Sequence, residues 1–149
     1  MRPVRTAAIT LLTFLGITAL AGAVPMILYP RGSAMMPLSL LEHSPFRSFL
    51  IPGLVLFTAN GLLALWVLRL VLARKRHYGL WVALQGSVLL IWLIVECWML
   101  RAVVWLHYLY GAVAVALIVT GFVLRRLPTT DRTQERQSAP ESSARNRAE

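Results

Sequence analysis

Charged residues, and acidic ones above all, are scarce in this sequence. Only 6 of its 149 residues are Asp or Glu, and charged residues make up 14% of the chain, compared with about 25% in a typical soluble domain. The single cysteine, Cys97, excludes an intramolecular disulfide. The sequence also lacks a Cys-x-x-Cys pair, a phosphate-binding glycine loop and a nucleophile elbow. It therefore shows no sign of a separate soluble domain or of a common enzyme motif.

Long apolar runs fill most of the chain instead. Hydrophobic residues account for 58% of it, and the mean hydropathy is +0.67. Four runs without Asp, Glu, Lys or Arg cover residues 6–28, 48–68, 78–95 and 102–124. A helix needs about 20 mostly apolar residues to cross the hydrocarbon core of a bilayer. The sequence predicts an all-α fold, an integral membrane four-helix bundle over residues 1–127, with helices at about 6–29, 45–73, 78–100 and 103–125.

The two ends of the chain need separate interpretation. Arg2 and Arg5, followed by an apolar run with small residues at 19–23, are typical of a cleavable signal peptide. The run continues to Leu28, however, which is longer than a signal-peptide core and favours a retained first helix. Residues 128–149 contain almost no large apolar side chain, so we predict a disordered cytoplasmic tail.

The distribution of Lys and Arg predicts the orientation in the membrane. The net charge of +9 comes from residues near helix ends and in the tail, so it indicates contact with membrane lipids and no nucleic-acid binding. One side of the predicted bundle carries seven basic residues and the other carries three, Arg31, Arg47 and Arg101. The seven are Arg2, Arg5, Arg74, Lys75, Arg76, Arg125 and Arg126. This bias predicts that both termini are cytoplasmic.

Residues that break or cap helices set the expected course of the second helix. Ser44 and Pro45 suit the N-cap and first positions, which predicts a start near Pro45. The pair at 52–53, Pro-Gly, predicts a kink one turn into the membrane. Asn60 falls in mid-membrane, where a turn would leave backbone groups without partners, so we expect the helix to continue through it.

The fourth helix carries a stripe of mostly small residues at helical spacing. Gly111, Ala114, Ile118 and Gly121 fall on one face. Small side chains let two transmembrane helices approach closely, and such a stripe is more often used within one chain than between chains. We therefore expect close packing of this face against a neighbouring helix.

The candidate functional face lies on the third helix and centres on Glu96, the only acidic residue in any of the predicted helices. Gln85, Leu89, Trp92 and Glu96 fall within a narrow arc of that helix, which predicts that this face points into the bundle. A carboxyl group within the membrane is costly and is by default a functional candidate. Asn60 and Gln85 are expected to bond to each other or to backbone across helices two and three.

Hairpin symmetry predicts a partner for Glu96. His107 follows the turn between the third and fourth helices by about as many residues as Glu96 precedes it, so the two should lie at similar depth. The candidate polar or ligand-binding cluster comprises Glu96, His107, Tyr108, Tyr110, Trp92, Gln85, Arg101, Glu42 and His43. The structural alternative is that Glu96 and His107 only lock the hairpin while the aromatic residues form an interfacial belt.

The sequence predicts no metal site and no cofactor. Glu42, His43, Glu96 and His107 have none of the Glu-x-x-His or His-x-x-x-His spacings of metal sites. A bis-histidine haem is also disfavoured, because His77 is predicted on the opposite side of the membrane. The expected partners are membrane lipids, together with a membrane-protein partner or a second copy of the chain.

Three short segments resemble a known family. Residues 41–46, Leu-Glu-His-Ser-Pro-Phe, are followed at 49–53 by Phe-Leu-Ile-Pro-Gly, and residues 105–110 read Trp-Leu-His-Tyr-Leu-Tyr. These segments are similar to those of small, uncharacterised bacterial four-helix membrane proteins, many of which carry Gln at the position of Glu96. The resemblance implies a multi-pass protein of the bacterial inner membrane, and it implies no activity.

The function that the sequence favours is non-enzymatic. We expect an accessory protein, or one that binds a lipid or another apolar ligand in an outer-leaflet pocket near Glu96, His107 and the loop 31–47. The alternative is a small transporter or proton-coupled channel subunit in which Glu96 titrates. A membrane enzyme is a third and less favoured class.

Overall fold

The computed structural model describes residues 2–32, 37–42, 44–101 and 103–126. Four long helices dominate it: α1 (Arg2–Leu28), α2 (Leu50–Leu72), α3 (Tyr78–Leu100) and α4 (Trp105–Arg126), with a 3-10 turn at Leu38–Leu41 in the loop after α1. The described residues contain no strand. All four helices are long and apolar enough to cross a membrane, so the chain has the form of a multi-pass membrane protein. His43 and the predicted tail, 128–149, lie outside the described residues.

The helices alternate in direction, and contacts at their ends show this. The Arg5 guanidinium, near the start of α1, donates from Nε to the Val71 carbonyl at 3.3 Å and from Nη2 to that of Leu72 at 3.2 Å. Gly79, at the start of α3, packs against the backbone of Arg125 at the end of α4. We call this side of the bundle the basic end, because it gathers Arg5, Arg74, Lys75, Arg76, Arg125 and Arg126.

The opposite side, the loop end, brings together the end of α1, the 3-10 turn and the α3–α4 turn. Leu41, Phe49 and Met99 form a small apolar cluster there. The Phe49 N–H donates to the Pro30 carbonyl at 2.9 Å, which ties the start of α2 to the end of α1. Arg101 ends α3 in the left-handed region with φ of 48°, and this conformation lets the chain reverse within a few residues.

Helices α3 and α4 form the tightest contact in the bundle, and glycines make it possible. A Cβ atom at Gly86 would lie 2.7 Å from the Ala114 carbonyl oxygen, and one at Gly121 would lie 2.7 Å from that of Gly79. No side chain fits between backbones that approach this closely. The predicted packing stripe is confirmed at Ala114, Ile118 and Gly121, but a Cβ at Gly111 would meet nothing within 4 Å.

The core is apolar, and so is much of the outer surface. Leu12 and Leu15 of α1 are buried with Val67 of α2, Val82 of α3 and Leu117 of α4. Large apolar side chains also cover the exterior of the helices, including Ile17, Ile91, Ile94, Trp98 and Val119. A surface of this kind suits contact with lipid chains and not with water.

The second helix begins later than the sequence predicts. It starts at Leu50, whereas the expected start was near Pro45. Ser44 does not cap it: the Ser44 hydroxyl donates to the Leu41 carbonyl at 3.0 Å and accepts from the Phe46 N–H at 3.2 Å, so it stabilises the preceding turn. Because Pro52 falls in the first turn of α2, where its missing N–H has no helical partner, it breaks no helical hydrogen bond.

The middle of α2 departs from a regular α-helix. The chain stays helical through Asn60, as expected, but residues Leu56–Leu62 form a π-helical segment. The Leu63 N–H donates to the Thr58 carbonyl, five residues back, as a π-helix requires. Asn60 and Gly61 are both buried within this segment. Short π segments inside helices are often found at functional sites.

Candidate ligand-binding site

A cavity of about 350 Å³ lies between the helices in the half of the bundle nearest the loop end. It extends from Leu15 to Met26 along α1 and from Leu89 to Leu100 along α3, which is about 16 Å at 1.5 Å per residue. Its lining residues are Leu15, Thr18, Ala19, Gly22, Met26, Leu56, Leu89, Trp92, Leu93, Glu96, Leu100, Val104, Leu106, His107 and Tyr110. No Lys or Arg is among them. The cavity is therefore an apolar slot with a carboxyl group and an imidazole near one end.

His107 is held in place by the start of α4. The Val104 N–H donates to His107 Nδ1 at 3.1 Å, and the His107 N–H donates back to the Val104 carbonyl at 2.9 Å. His107 thus fills the role that Glu or Gln has in a capping box, with a side chain that accepts from the N-cap backbone. Because Nδ1 accepts a hydrogen bond, the proton of the neutral ring is on Nε2. The imidazole therefore presents a donor to the cavity.

That donor faces Glu96 across a gap. His107 Nε2 and Glu96 Oε2 are 4.0 Å apart, which is longer than a hydrogen bond. The His107 side chain is only 8% exposed and that of Glu96 is 30% exposed. Among the described residues, Nε2 has no hydrogen-bond partner. The structure thus brings the two predicted residues to the same depth, but leaves a buried donor and a carboxylate slightly too far apart to satisfy each other.

Two other side chains on the wall, Thr18 and Tyr110, make contacts within the protein. The Thr18 hydroxyl donates to the Phe14 carbonyl of its own helix at 2.7 Å. The Tyr110 ring stacks on Phe14 of α1 with ring centroids 6.0 Å apart. This contact joins α4 to α1, and Tyr110 also lines the cavity. Glu96 and His107 are therefore the polar groups best placed to meet a ligand.

The structure gathers four of the nine predicted cluster residues around the cavity, namely Trp92, Glu96, His107 and Tyr110. Tyr108 is 73% exposed, because a shift of two positions on a helix rotates its side chain about 200° from that of Tyr110. Arg101 and Glu42 are exposed at the ends of α3 and of the 3-10 turn, so neither lines the cavity. His43 lies outside the described residues.

Gln85, the remaining member, belongs to a separate buried site. Its Nε2 donates to the Ala59 carbonyl in the π-helical segment at 3.2 Å, which confirms the expected bond to backbone across α2 and α3. Gln85 and Asn60 are both 0% exposed. Gln85 Oε1 and both side-chain polar atoms of Asn60 have no hydrogen-bond partner among the described residues. Buried Leu89 and Leu93 separate this amide pair from Glu96 along α3.

Sequence reasoning missed the wall that α1 contributes. Leu15, Thr18, Ala19, Gly22 and Met26 line the cavity, and none of them is charged or strongly polar. Their spacing of three to four residues with small side chains at 19 and 22 was the available signal, because it leaves room beside a helix. Leu56, at the start of the π-helical segment, was not identifiable from its residue type.

No group of three or more His, Cys, Asp or Glu side chains that could hold a metal ion occurs in the part of the chain that the structure describes. No family model, no curated protein and no solved structure matches this chain. The interpretation of the site therefore depends on the cavity and its two polar groups.

Proposed function

We propose that this protein binds a lipid or another apolar ligand in the cavity, and that it is an accessory protein without catalytic activity. The observation that carries the proposal is an apolar slot about 16 Å long with Glu96 and His107 near its outer end. An amphiphile has the same arrangement: a chain that prefers apolar walls and one polar end. The volume of about 350 Å³ lies at the lower end of the range for small-molecule sites.

We further propose that the loop end faces the outside of a bacterial inner membrane and that both termini are cytoplasmic. Support comes from the grouping of basic residues at one end of the bundle, because Lys and Arg are enriched in cytoplasmic segments. The cavity then lies in the outer leaflet, and its polar residues lie near the lipid headgroups. A lipid could enter with its chain pointing toward the membrane centre, as it does in the leaflet itself.

A transporter or proton-coupled channel subunit that uses Glu96 is the alternative that the sequence left open. Such a role needs a polar path from Glu96 toward the basic end. Below Glu96 the cavity is lined by apolar residues such as Leu89 and Leu93, and the next buried polar side chains along α3 and α2, Gln85 and Asn60, are not among its lining residues. The lack of polar lining between Glu96 and Gln85 among the described residues favours a binding pocket over a proton path.

Native mass spectrometry of the purified protein tests the binding function. The full chain is released from bilayer nanodiscs made of a bacterial lipid extract, and the retained lipid is counted for the wild type and for Gly22→Leu. A Cβ at Gly22 would meet only Leu56, at 3.7 Å, so the helix contact tolerates a side chain there. The added side chain enters the cavity wall, and we expect retained lipid to fall by about tenfold or more, as the ligand loses room.

The matched control is Ala21→Leu. Ala21 is the neighbouring residue of α1, is exposed and does not line the cavity, so a leucine side chain there should leave lipid retention unchanged. Equal retention in the wild type and both variants would show that the lipid sits on the outer surface. Proton flux into liposomes that disappears in Glu96→Gln would favour the transporter instead.

A further inference from the structure

The polar end of the cavity carries more information about the ligand than its apolar walls do. At this end an acceptor, the carboxylate of Glu96, and a donor, the Nε2–H of His107, lie 4.0 Å apart. The donor belongs to a side chain that is 8% exposed, and it has no partner among the described residues. A buried donor without a partner is unfavourable, so a ligand that satisfies it gains free energy on binding.

We propose that the site selects an amphiphile whose polar end is a neutral hydroxyl group, such as a long-chain alcohol or phenol. This inference rests on the proposed binding function of the cavity. A hydroxyl oxygen accepts the Nε2–H of His107 and donates its own proton to Oε2 of Glu96, so both protein groups are satisfied by one atom. Neither proton is transferred.

The distance between the two groups fits this bridge. An oxygen placed about 2.8 Å from each of two atoms that are 4.0 Å apart makes an angle of about 90° between them. That angle is compatible with one hydroxyl oxygen that donates along its O–H bond and accepts at a lone pair. A direct bond between Glu96 and His107 would need the two side chains to move about 1 Å closer, and it would then close the site.

Charged headgroups fit this site less well. An anionic phosphate or carboxylate would face the Glu96 carboxylate, and no Lys or Arg of the described residues lines the cavity to balance it. An ammonium group would pair with Glu96, but it has no lone pair to accept the Nε2–H of His107. Only a group that both donates and accepts satisfies the two residues together, and among lipid headgroups the neutral alcohol is the simplest.

Fluorescence quenching by bromine-tagged amphiphiles tests the proposal. Trp92 lines the cavity, while Trp98 on the same helix is 65% exposed on the outer surface. Two single-tryptophan proteins, one with Trp92 and one with Trp98, are placed in liposomes and titrated with ω-bromoundecanol, its methyl ether, ω-bromoundecylamine and ω-bromoundecanoic acid. Because Trp98 reports quenching from the bulk bilayer, the difference between the two proteins reports occupancy of the cavity.

The alcohol should quench Trp92 at about tenfold lower membrane concentration than its methyl ether, which cannot donate to Glu96. Glu96→Gln keeps an acceptor oxygen and should change the alcohol midpoint by less than about threefold. Glu96→Leu removes the acceptor, so the membrane concentration of alcohol at the quenching midpoint should rise about tenfold, while the midpoint for the ether should not change. The unchanged response to the ether shows that this variant is folded and that the cavity is intact.

Three results would contradict this account, and they differ from each other. Equal quenching of Trp92 by all four probes, above that of Trp98, would leave the binding function standing and refute selection for a hydroxyl group. Preference for the amine that disappears in Glu96→Gln would make the site an ammonium site. Quenching of Trp92 no greater than that of Trp98 with every probe would refute the binding function itself.

Discussion

The contact between α3 and α4 gives the sharpest stability prediction, because the same substitution has opposite effects at two positions of one helix. Gly111 and Gly121 both lie inside α4, and Gly→Ala in a helix gains about 0.5–1 kcal/mol from lower backbone entropy cost and higher helix propensity. At Gly111 the new Cβ meets nothing within 4 Å. At Gly121 it lies 2.7 Å from the Gly79 carbonyl oxygen and in still closer contact with the Ala83 backbone nitrogen.

A comparison of the two variants therefore separates the gain in helix propensity from the cost of the close contact between α3 and α4. Backbone atoms of α3 cannot retreat as the end of a flexible side chain can, so Gly121→Ala must push the helices apart, at a cost of about 1–3 kcal/mol or more. The propensity gain is common to both variants and cancels in their difference. We expect Gly111→Ala to be neutral or stabilising and Gly121→Ala to be about 1–3 kcal/mol less stable than Gly111→Ala.

Equilibrium unfolding in mixed micelles, or the melting temperature of both variants in the same detergent, measures this difference. Equal stability of the two variants would refute backbone contact between α3 and α4. Destabilisation by Gly111→Ala alone would show that this face of α4 is covered by a second copy or by a partner protein.

Four further substitutions, used in three experiments, test individual contacts by the same unfolding measurement. Arg5→Ala should cost about 1 kcal/mol, because it removes two hydrogen bonds to the last carbonyls of α2, and no loss would mean that these bonds do not hold the basic end together. Glu96→Ala and His107→Ala should be coupled by about 1 kcal/mol or less in a double-mutant cycle, since their side chains lie 4.0 Å apart; coupling of several kcal/mol would indicate a closed ion pair instead. Gln85→Glu should cost about 2 kcal/mol or more, because it replaces the buried donor to the Ala59 carbonyl with an acceptor, and a neutral result would place that side chain outside the core.

The general fold was predictable because its signals are large. Four uncharged apolar runs fix the number of helices, and the small residues at 114, 118 and 121 indicate the closest contact between helices. The predicted start of α2 was wrong because the Ser44 hydroxyl can either cap a helix or form hydrogen bonds within a turn. The sequence alone does not decide between these two roles. The π-helical segment around Asn60 was not predictable either, since it depends on packing against other helices.

The candidate site was predictable only in part. Glu96 and His107 were identified because they are unusual in apolar runs and are symmetric about one turn, and the structure places them 4.0 Å apart. The predicted cluster also included Arg101, Glu42 and Tyr108, because they are predicted on the same side of the membrane. A similar depth in the membrane does not determine which way a side chain points, and these three side chains are exposed. The α1 wall has no distinctive residue type, so only the packed structure reveals it.

Contacts between lipid chains and buried methyl groups provide the most direct test of the central claim, that the cavity holds an apolar chain. The leucine methyl groups of the protein are labelled for NMR in nanodiscs, and cross-relaxation with lipid acyl methylenes is measured. Leu15 and Leu89 are 1% and 2% exposed and line the cavity, whereas Leu12 and Leu117 are 0% exposed and do not. We expect acyl-chain contacts at Leu15 and Leu89 and none at Leu12 and Leu117. Absence of contacts at all four residues, while outward-facing leucines such as Leu62 and Leu72 show them, would contradict it.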